Sequence, residues 1–135
     1  MVRQNMNNAE FFLLMKSLGF SSAEEIHRYI SIKKFRGFTN IKAIQTWIDA
    51  HNQQNKIIPS DVVEHFVELH NYMIKQTENP YYQKAKCLYI YESDQQMWEM
   101  LSHLKGLPQQ YLINFYILLI IKYGNLRFKF YKKQF

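Results

Sequence analysis

The sequence predicts a mainly α-helical protein with a small α+β region in its C-terminal half. Capping residues precede several segments in which apolar residues recur at helical spacing. Two short segments in the second half alternate in the manner of strands. Between the halves, Asn79–Pro80 is a helix-breaking pair. We therefore expect one structural region at residues 6–77 and a second at residues 81–135.

The bulk composition favours a folded protein with a polyanionic partner. A hydrophobic content of 47% over 135 residues is enough for a packed core. The net charge is +6, and no Asp or Glu follows Glu99, which fits either a phosphate-binding surface or a solvated basic tail. Cys87 is the only cysteine, the N-terminus lacks a signal-peptide pattern, and the apolar run 111–121 is too short to cross a membrane. We expect a cytoplasmic protein without a membrane partner.

Four helices are predicted in residues 6–77. The first two each begin with a polar cap and an acidic residue three positions later, Asn7 with Glu10 and Ser22 with Glu25. Gly19 ends the first helix, and the second extends to Ile30, followed by a basic connection at 31–38. The third begins after Thr39 or Asn40 and runs to about residue 50. Pro59 and Ser60 begin the fourth, whose expected buried residues are Val62, Val63, Phe66, Leu69, Tyr72 and Met73.

The second half combines strands and helices. Residues 85–91 and 126–131 alternate and could pair with each other, within one chain or between two. Ser93 with Gln96 predicts a capped helix ending near Leu104. A second helix is expected from Gln109 to Tyr123.

The residue types and spacings do not predict an enzyme. His65 and His70 are five positions apart on one helix, so they cannot share a metal ion as an i, i+4 pair could. Cys87, in a predicted strand, is better explained as a buried structural thiol than as a nucleophile. The four glycines have no spacing that would build a phosphate-binding loop. We expect no cofactor, no metal and no catalytic residue.

The second and third helices, joined by a turn, have the arrangement of a helix-turn-helix pair, whose second helix enters the major groove of DNA. The side of the third helix that is expected to contact DNA comprises Thr39, Asn40, Lys42, Ala43, Gln45 and Thr46. Lysine can reach guanine, glutamine can pair with adenine, and residues at the helix start can bind phosphate. Lys33, Lys34 and Arg36 are further candidates for phosphate contacts. The opposite side, Ile41, Ile44 and Trp47, is expected in the core. The alternative is an ordinary surface helix, which carries the same residue types.

Three segments in order, "MNNAEFFLLMKSLGFSSAEEIHRYI", "IKAIQTW" and "IIPSDVVEHFVELH", resemble the anti-CRISPR-associated helix-turn-helix regulators and their phage and bacterial relatives. The second half is also similar, through "LYIYESDQQMWEMLSHL" and "INFYILLIIKY", so the resemblance covers residues 6–123. The matching positions are Asn8, Glu10, Leu18, Trp47, Pro59, Asp61 and Val62. The family's basic residue five positions before its tryptophan corresponds to Lys42. The connections at 31–39 and 48–58 are longer than expected from the family.

The resemblance implies a repressor-like helix-turn-helix bundle, and a repressor of phage or mobile elements that binds an inverted repeat as a homodimer and shuts down its own anti-CRISPR operon. Some family members also recognise RNA hairpins. The dimer interface, or the core beneath it, is expected at Tyr111, Phe115, Tyr116, Leu119 and Ile120. The alternative is a protein-interaction module, an anti-CRISPR or antitoxin-like inhibitor acting through its aromatic C-terminal half. An exposed apolar patch on helix 109–123 would favour that alternative.

Overall fold

The computed structural model describes residues 6–34, 40–49 and 58–132. The described elements, in chain order, are helices α1 (Asn8–Ser17), α2 (Ala23–Lys33), α3 (Ile41–Ile48), α4 (Ser60–Gln76) and α5 (Pro80–Lys84), strand β1 (Cys87–Ile90), helix α6 (Asp94–Met100), a 3-10 turn (Ser102–Leu104), helix α7 (Gln109–Lys122) and strand β2 (Arg127–Phe130). The predicted fold class, mainly α with a small α+β part, is confirmed.

Local capping chemistry fixes where the helices begin. Asn7 and Glu10 form a reciprocal capping box at the start of α1, in which each side chain accepts a hydrogen bond from the other's backbone N–H. Side chains also cap α2 at Ser22, α3 at Asn40 and α6 at Ser93. These caps satisfy backbone N–H groups that have no partner within the helix.

The two strands pair within the chain and run parallel, with Leu88 opposite Phe128 and Ile90 opposite Phe130. Helices α6 and α7 lie between them in sequence and form the crossover that a parallel pair requires. Leu88 is buried, and the Phe128 ring lies 5.0 Å from the ring of Tyr116 on α7. The predicted pairing of the two segments is therefore confirmed, and of the two alternatives the one within a single chain holds.

One core connects the residues on both sides of Asn79–Pro80. The loop at Gly19 approaches the start of α7 so closely that a Cβ atom on Gly19 would overlap the backbone of Tyr111. Arg28 on α2 forms an ion pair of 2.8 Å with Asp94 at the start of α6. Asn114 on α7 donates hydrogen bonds to the carbonyl oxygens at the end of α1.

Several predicted helix boundaries were wrong. Helix α2 continues to Lys33 instead of ending at Ile30, so it absorbs three residues of the connection predicted at 31–38. Helix α3 ends at Ile48, two residues earlier than predicted. Helix α6 ends at Met100, and the 3-10 turn replaces its predicted last turn. Pro80, expected only to break a helix, begins the short helix α5, because proline's fixed φ suits the first turn.

Two side chains lie differently from the prediction. Ile41 is 37% exposed, because positions three apart drift around a helix and Ile41 falls at the edge of the side centred on Ile44 and Trp47. Tyr72 is 50% exposed for the same reason, since it lies off the centre of the buried side of α4. On that side Val62, Val63, Phe66 and Met73 are buried as predicted, and Leu69 is half-buried.

Candidate nucleic-acid interface

Helix α3 is held against α1 and α2 by its apolar side. Ile44 is fully buried, and the Trp47 ring meets Phe11 of α1 edge to face, with ring centroids 6.1 Å apart. Aromatic pairs in this geometry contribute about 0.5–1.5 kcal/mol beyond the burial of their area. This packing leaves the opposite side of the helix exposed.

Side chains satisfy the backbone at both ends of α3. At the start, the Asn40 Oδ1 accepts a hydrogen bond of 2.8 Å from the N–H of Ala43. At the end, the Asn8 Nδ2 donates to the carbonyl oxygens of Thr46 and Trp47, at 2.9 and 3.1 Å. Asn8 is only 4% exposed, so this contact joins α1 to α3 inside the protein. The sequence resemblance singled out Asn8, but its role as a clamp on α3 was not predicted.

The predicted DNA-contacting residues divide into three groups. Lys42 and Gln45 are exposed on the same side of α3. Asn40 is exposed, but its side-chain oxygen is occupied as the helix cap. Ala43 and Thr46 are half-buried, and the Thr46 hydroxyl donates to the Ala43 carbonyl oxygen at 2.6 Å. Lys42 and Gln45 are therefore the long side chains that this surface offers to a ligand.

The predicted phosphate contacts lie at the end of α2. Lys33 and Lys34 are both exposed, and the Lys33 Nζ lies 6.0 Å from the centre of the Tyr29 ring. Lys34 adopts a left-handed conformation with φ of 53° and ends the helix there. Arg36 and Thr39, the other predicted contacts in this stretch, lie outside the described residues.

A partly buried polar pair joins α2 to α4 close to Lys33. The Tyr29 hydroxyl lies 2.7 Å from the His65 Nε2, so one of them donates a hydrogen bond to the other. Burial raises the pKa of Tyr29 to about 12 and lowers the pKa of His65 below its ordinary value. A neutral imidazole can accept the hydrogen bond from the protonated phenol.

The residues predicted for the dimer interface are mostly interior. Tyr111, Phe115, Tyr116 and Leu119 are buried within the chain, and only Ile120 is exposed. Two further isoleucines of α7 are exposed: Ile117 lies one turn before Ile120 and Ile121, and Ile121 is 80% exposed. We call Ile117, Ile120 and Ile121 the α7 apolar face.

The part of the chain that the structure describes contains neither a group of metal ligands nor a helix that could span a membrane. No three His, Cys, Asp or Glu side chains there are grouped so that they could hold a metal ion. No helix among these residues is long and apolar enough to cross a membrane. Comparison of the chain with protein-family models, with curated proteins and with solved structures found no match.

Proposed function

We propose that the protein is a sequence-specific DNA-binding transcriptional repressor that reads its operator through the exposed side of α3. The observation that supports this is the placement of Lys42 and Gln45 on a helix whose opposite side and both ends are fixed by the protein. Such fixing lowers the entropic cost of binding, because the helix is already ordered before it meets a ligand.

The residue types suit the major groove. A lysine amino group can donate to guanine O6 and N7, and a glutamine amide can pair with adenine N6 and N7. Lys33 and Lys34, exposed at the end of the preceding helix, would add sequence-independent attraction to phosphates. The chain's net charge of +6 supports the same partner through long-range attraction.

The repressor acts as a homodimer that uses the α7 apolar face. Three exposed isoleucines on one side of a helix form a surface that association would remove from water. A twofold dimer would present two copies of α3 to two half-sites, about one DNA turn apart, in an inverted repeat. From the sequence resemblance we further propose that this repeat lies in the promoter of the protein's own phage or mobile-element operon, and that RNA hairpins of its transcript are a second ligand.

The DNA assignment is tested with duplexes enriched by the wild-type protein from a random-sequence library. We expect Lys42→Ala to weaken binding of the selected duplex by about 1–3 kcal/mol and to relax the preference at one base position. Lys33→Ala should weaken all duplexes alike and reduce the salt dependence of the affinity by about one unit of slope. Fluorescence anisotropy over a range of salt concentrations measures both effects.

Lys75→Ala is the matched control, because Lys75 is an exposed lysine on α4 and its loss changes the net charge equally. We expect it to change the affinity by less than about twofold, since Lys75 belongs to neither α3 nor the end of α2 and salt screens a surface charge that makes no phosphate contact. If Lys42→Ala and Gln45→Ala both bound the selected duplex like the wild type, α3 would not be the reading element.

The dimer is tested by Ile121→Lys, which places a charge at the most exposed position of the α7 apolar face. Light scattering should show a dimer for the wild type and a monomer for this variant, with weaker binding to an inverted repeat. Met100→Lys, at an exposed apolar position of α6, should remain dimeric. A monomeric wild type would contradict the homodimer.

The α7 apolar face also favours a second candidate function, that of an inhibitor or antitoxin-like module that binds a protein partner. Exposed apolar side chains of this kind are found at protein–protein contact sites. A monomer in solution that binds no duplex in a salt-dependent manner would support this function over the repressor.

A further inference from the structure

A cavity of about 200 Å³ lies between α4 of the first half and α5, β1 and α7 of the second half. For comparison, an apolar cavity of about 150 Å³ in another protein holds benzene. Drug-sized ligands need pockets of roughly 300–1,000 Å³. The space is therefore suited to one ring with a small substituent.

The walls of this cavity are aromatic. Seven of the chain's ten tyrosines line it, together with Phe115. Several wall rings already meet edge to face, such as Tyr82 and Phe115 with centroids 5.1 Å apart. An aromatic ligand would continue this packing, because the edge of one ring is attracted to the face of another.

The composition of the same walls also disfavours a charged ligand. Of the described residues that line the cavity, none is Asp, Glu, Lys or Arg, and its one histidine, His103, is exposed, so an ion inside would lack a buried countercharge. Transferring an unpaired ion out of water costs far more free energy than transferring a neutral ring. The ligand should therefore be uncharged.

Several wall tyrosines have hydroxyls without a hydrogen-bond partner among the described residues, and Tyr111 is the most buried of them. The Tyr116 hydroxyl donates to the Tyr89 carbonyl oxygen at 2.8 Å, so it is occupied. Tyr111 is 4% exposed and lines the cavity, but its hydroxyl has no hydrogen-bond partner among the described residues. Burial raises the pKa of Tyr111, so the phenol stays protonated and can donate. A ligand acceptor inside the cavity would give this hydroxyl a hydrogen-bond partner.

We infer that this cavity binds a small, uncharged aromatic or heteroaromatic compound that carries a hydrogen-bond acceptor for the Tyr111 hydroxyl. The inference goes beyond the proposed function and does not depend on DNA binding by α3. None of the cavity-lining residues belongs to α3 or to the α7 apolar face.

The test uses three probes of nearly equal size with the whole 135-residue chain. Benzamide is neutral, aromatic and carries a carbonyl acceptor; benzoate adds a charge; cyclohexanecarboxamide lacks the aromatic ring. We expect benzamide to bind with a dissociation constant on the order of 1 mM, in keeping with its size. Benzoate and cyclohexanecarboxamide should each bind at least tenfold more weakly, as measured by saturation-transfer NMR titration.

Cys87 reports whether the probe occupies this cavity. It is the only cysteine of the chain, it is half-buried, and it lines the cavity. Benzamide at saturation should slow the reaction of its thiol with a maleimide several-fold. Binding without any such protection would place the probe elsewhere and overturn the inference.

Tyr111→Phe removes only the hydroxyl and should weaken benzamide binding about three- to tenfold, the usual range for one hydrogen bond. Tyr123→Phe is the matched control, because the Tyr123 hydroxyl donates to the Thr77 carbonyl oxygen and Tyr123 does not line the cavity. Circular dichroism confirms that both variants fold. No binding of benzamide by the wild type, equal binding of benzoate, or equal effects of the two variants would each overturn the inference.

Discussion

Replacing Asn8 tests how α3 is held in place. In the native protein the Asn8 Nδ2 donates to two carbonyl oxygens at the end of α3, and the side chain is almost fully buried. Each such bond contributes about 0.5–1.5 kcal/mol net, and a carbonyl left without a partner costs about 1–3 kcal/mol. The Asn8 Oδ1 has no partner among the described residues, so its removal returns part of that cost. We expect Asn8→Ala to lower the free energy of unfolding by about 2–3 kcal/mol.

Asn8→Asp distinguishes the effect of the lost hydrogen-bond donor from the effect of the lost side-chain volume at the same position. It keeps the shape of the side chain but brings a carboxylate oxygen within hydrogen-bonding distance of two carbonyl oxygens. The carboxylate gains about 0.3–1 kcal/mol from the N-terminus of α1, which does not offset the burial of its charge. We therefore expect Asn8→Asp to be less stable than Asn8→Ala.

The assay is urea unfolding at pH 7, followed by circular dichroism. Asn7→Ala is the control, since it removes the exposed cap of α1 beside Asn8 and should cost about 1 kcal/mol. The reasoning would be refuted if Asn8→Ala were within about 0.5 kcal/mol of the wild type, or if Asn8→Asp were as stable as the wild type.

Two further predictions concern the contacts around α2. Gly19→Ala should lower the free energy of unfolding by about 3 kcal/mol or more, because φ is +89° and the added Cβ would overlap the backbone of Tyr111. Gly124→Ala is the control: an added Cβ there has no atom within 4 Å, so the variant should stay within about 1 kcal/mol of the wild type in the same urea assay. The lowered pKa of His65 means that the unfolded chain binds its proton more readily, so stability is complete above the ordinary pKa of 6.5 and falls as the pH drops below it. Unfolding measured from pH 5 to pH 8 should show this loss for the wild type and a smaller loss for His65→Gln; equal losses would contradict the assignment to His65.

The parts of the fold that were predictable from the sequence are those fixed by neighbours in the chain. The capping pair of Asn7 and Glu10 spans three residues, and so does the cap of Ala43 by Asn40. In each case the donor and acceptor are brought together by the first turn of the helix alone. Helix starts were therefore predicted more closely than helix ends such as that of α2, which ends at Lys33 and is capped by Lys34 in place of a glycine.

The parts that were not predictable depend on contacts between distant residues. The bonds from Asn8 to the end of α3 span 38 and 39 residues, and no local pattern marks them. The aromatic residues of α7 showed helical spacing, but the spacing could not tell whether Tyr111 and Phe115 face the chain's own core or a partner. The parallel direction of β1 and β2 follows from the crossover through α6 and α7, which alternation alone does not specify.

These long-range contacts matter most for α3, because a helix of eight residues is too short to be stable by itself in water. Its order must come from the clamp by Asn8 and from the packing of Ile44 and Trp47. If α3 reads DNA, Asn8→Ala should weaken DNA binding although Asn8 is buried. In this variant α3 would be less ordered before binding, so the entropic cost of ordering it would reduce the affinity for DNA. Its effect should leave the salt dependence unchanged, since no phosphate contact is removed, whereas the loss of Lys33 should lower that dependence. Comparing Asn8→Ala with Lys33→Ala thus distinguishes residues that hold α3 in place from residues that contact the DNA backbone.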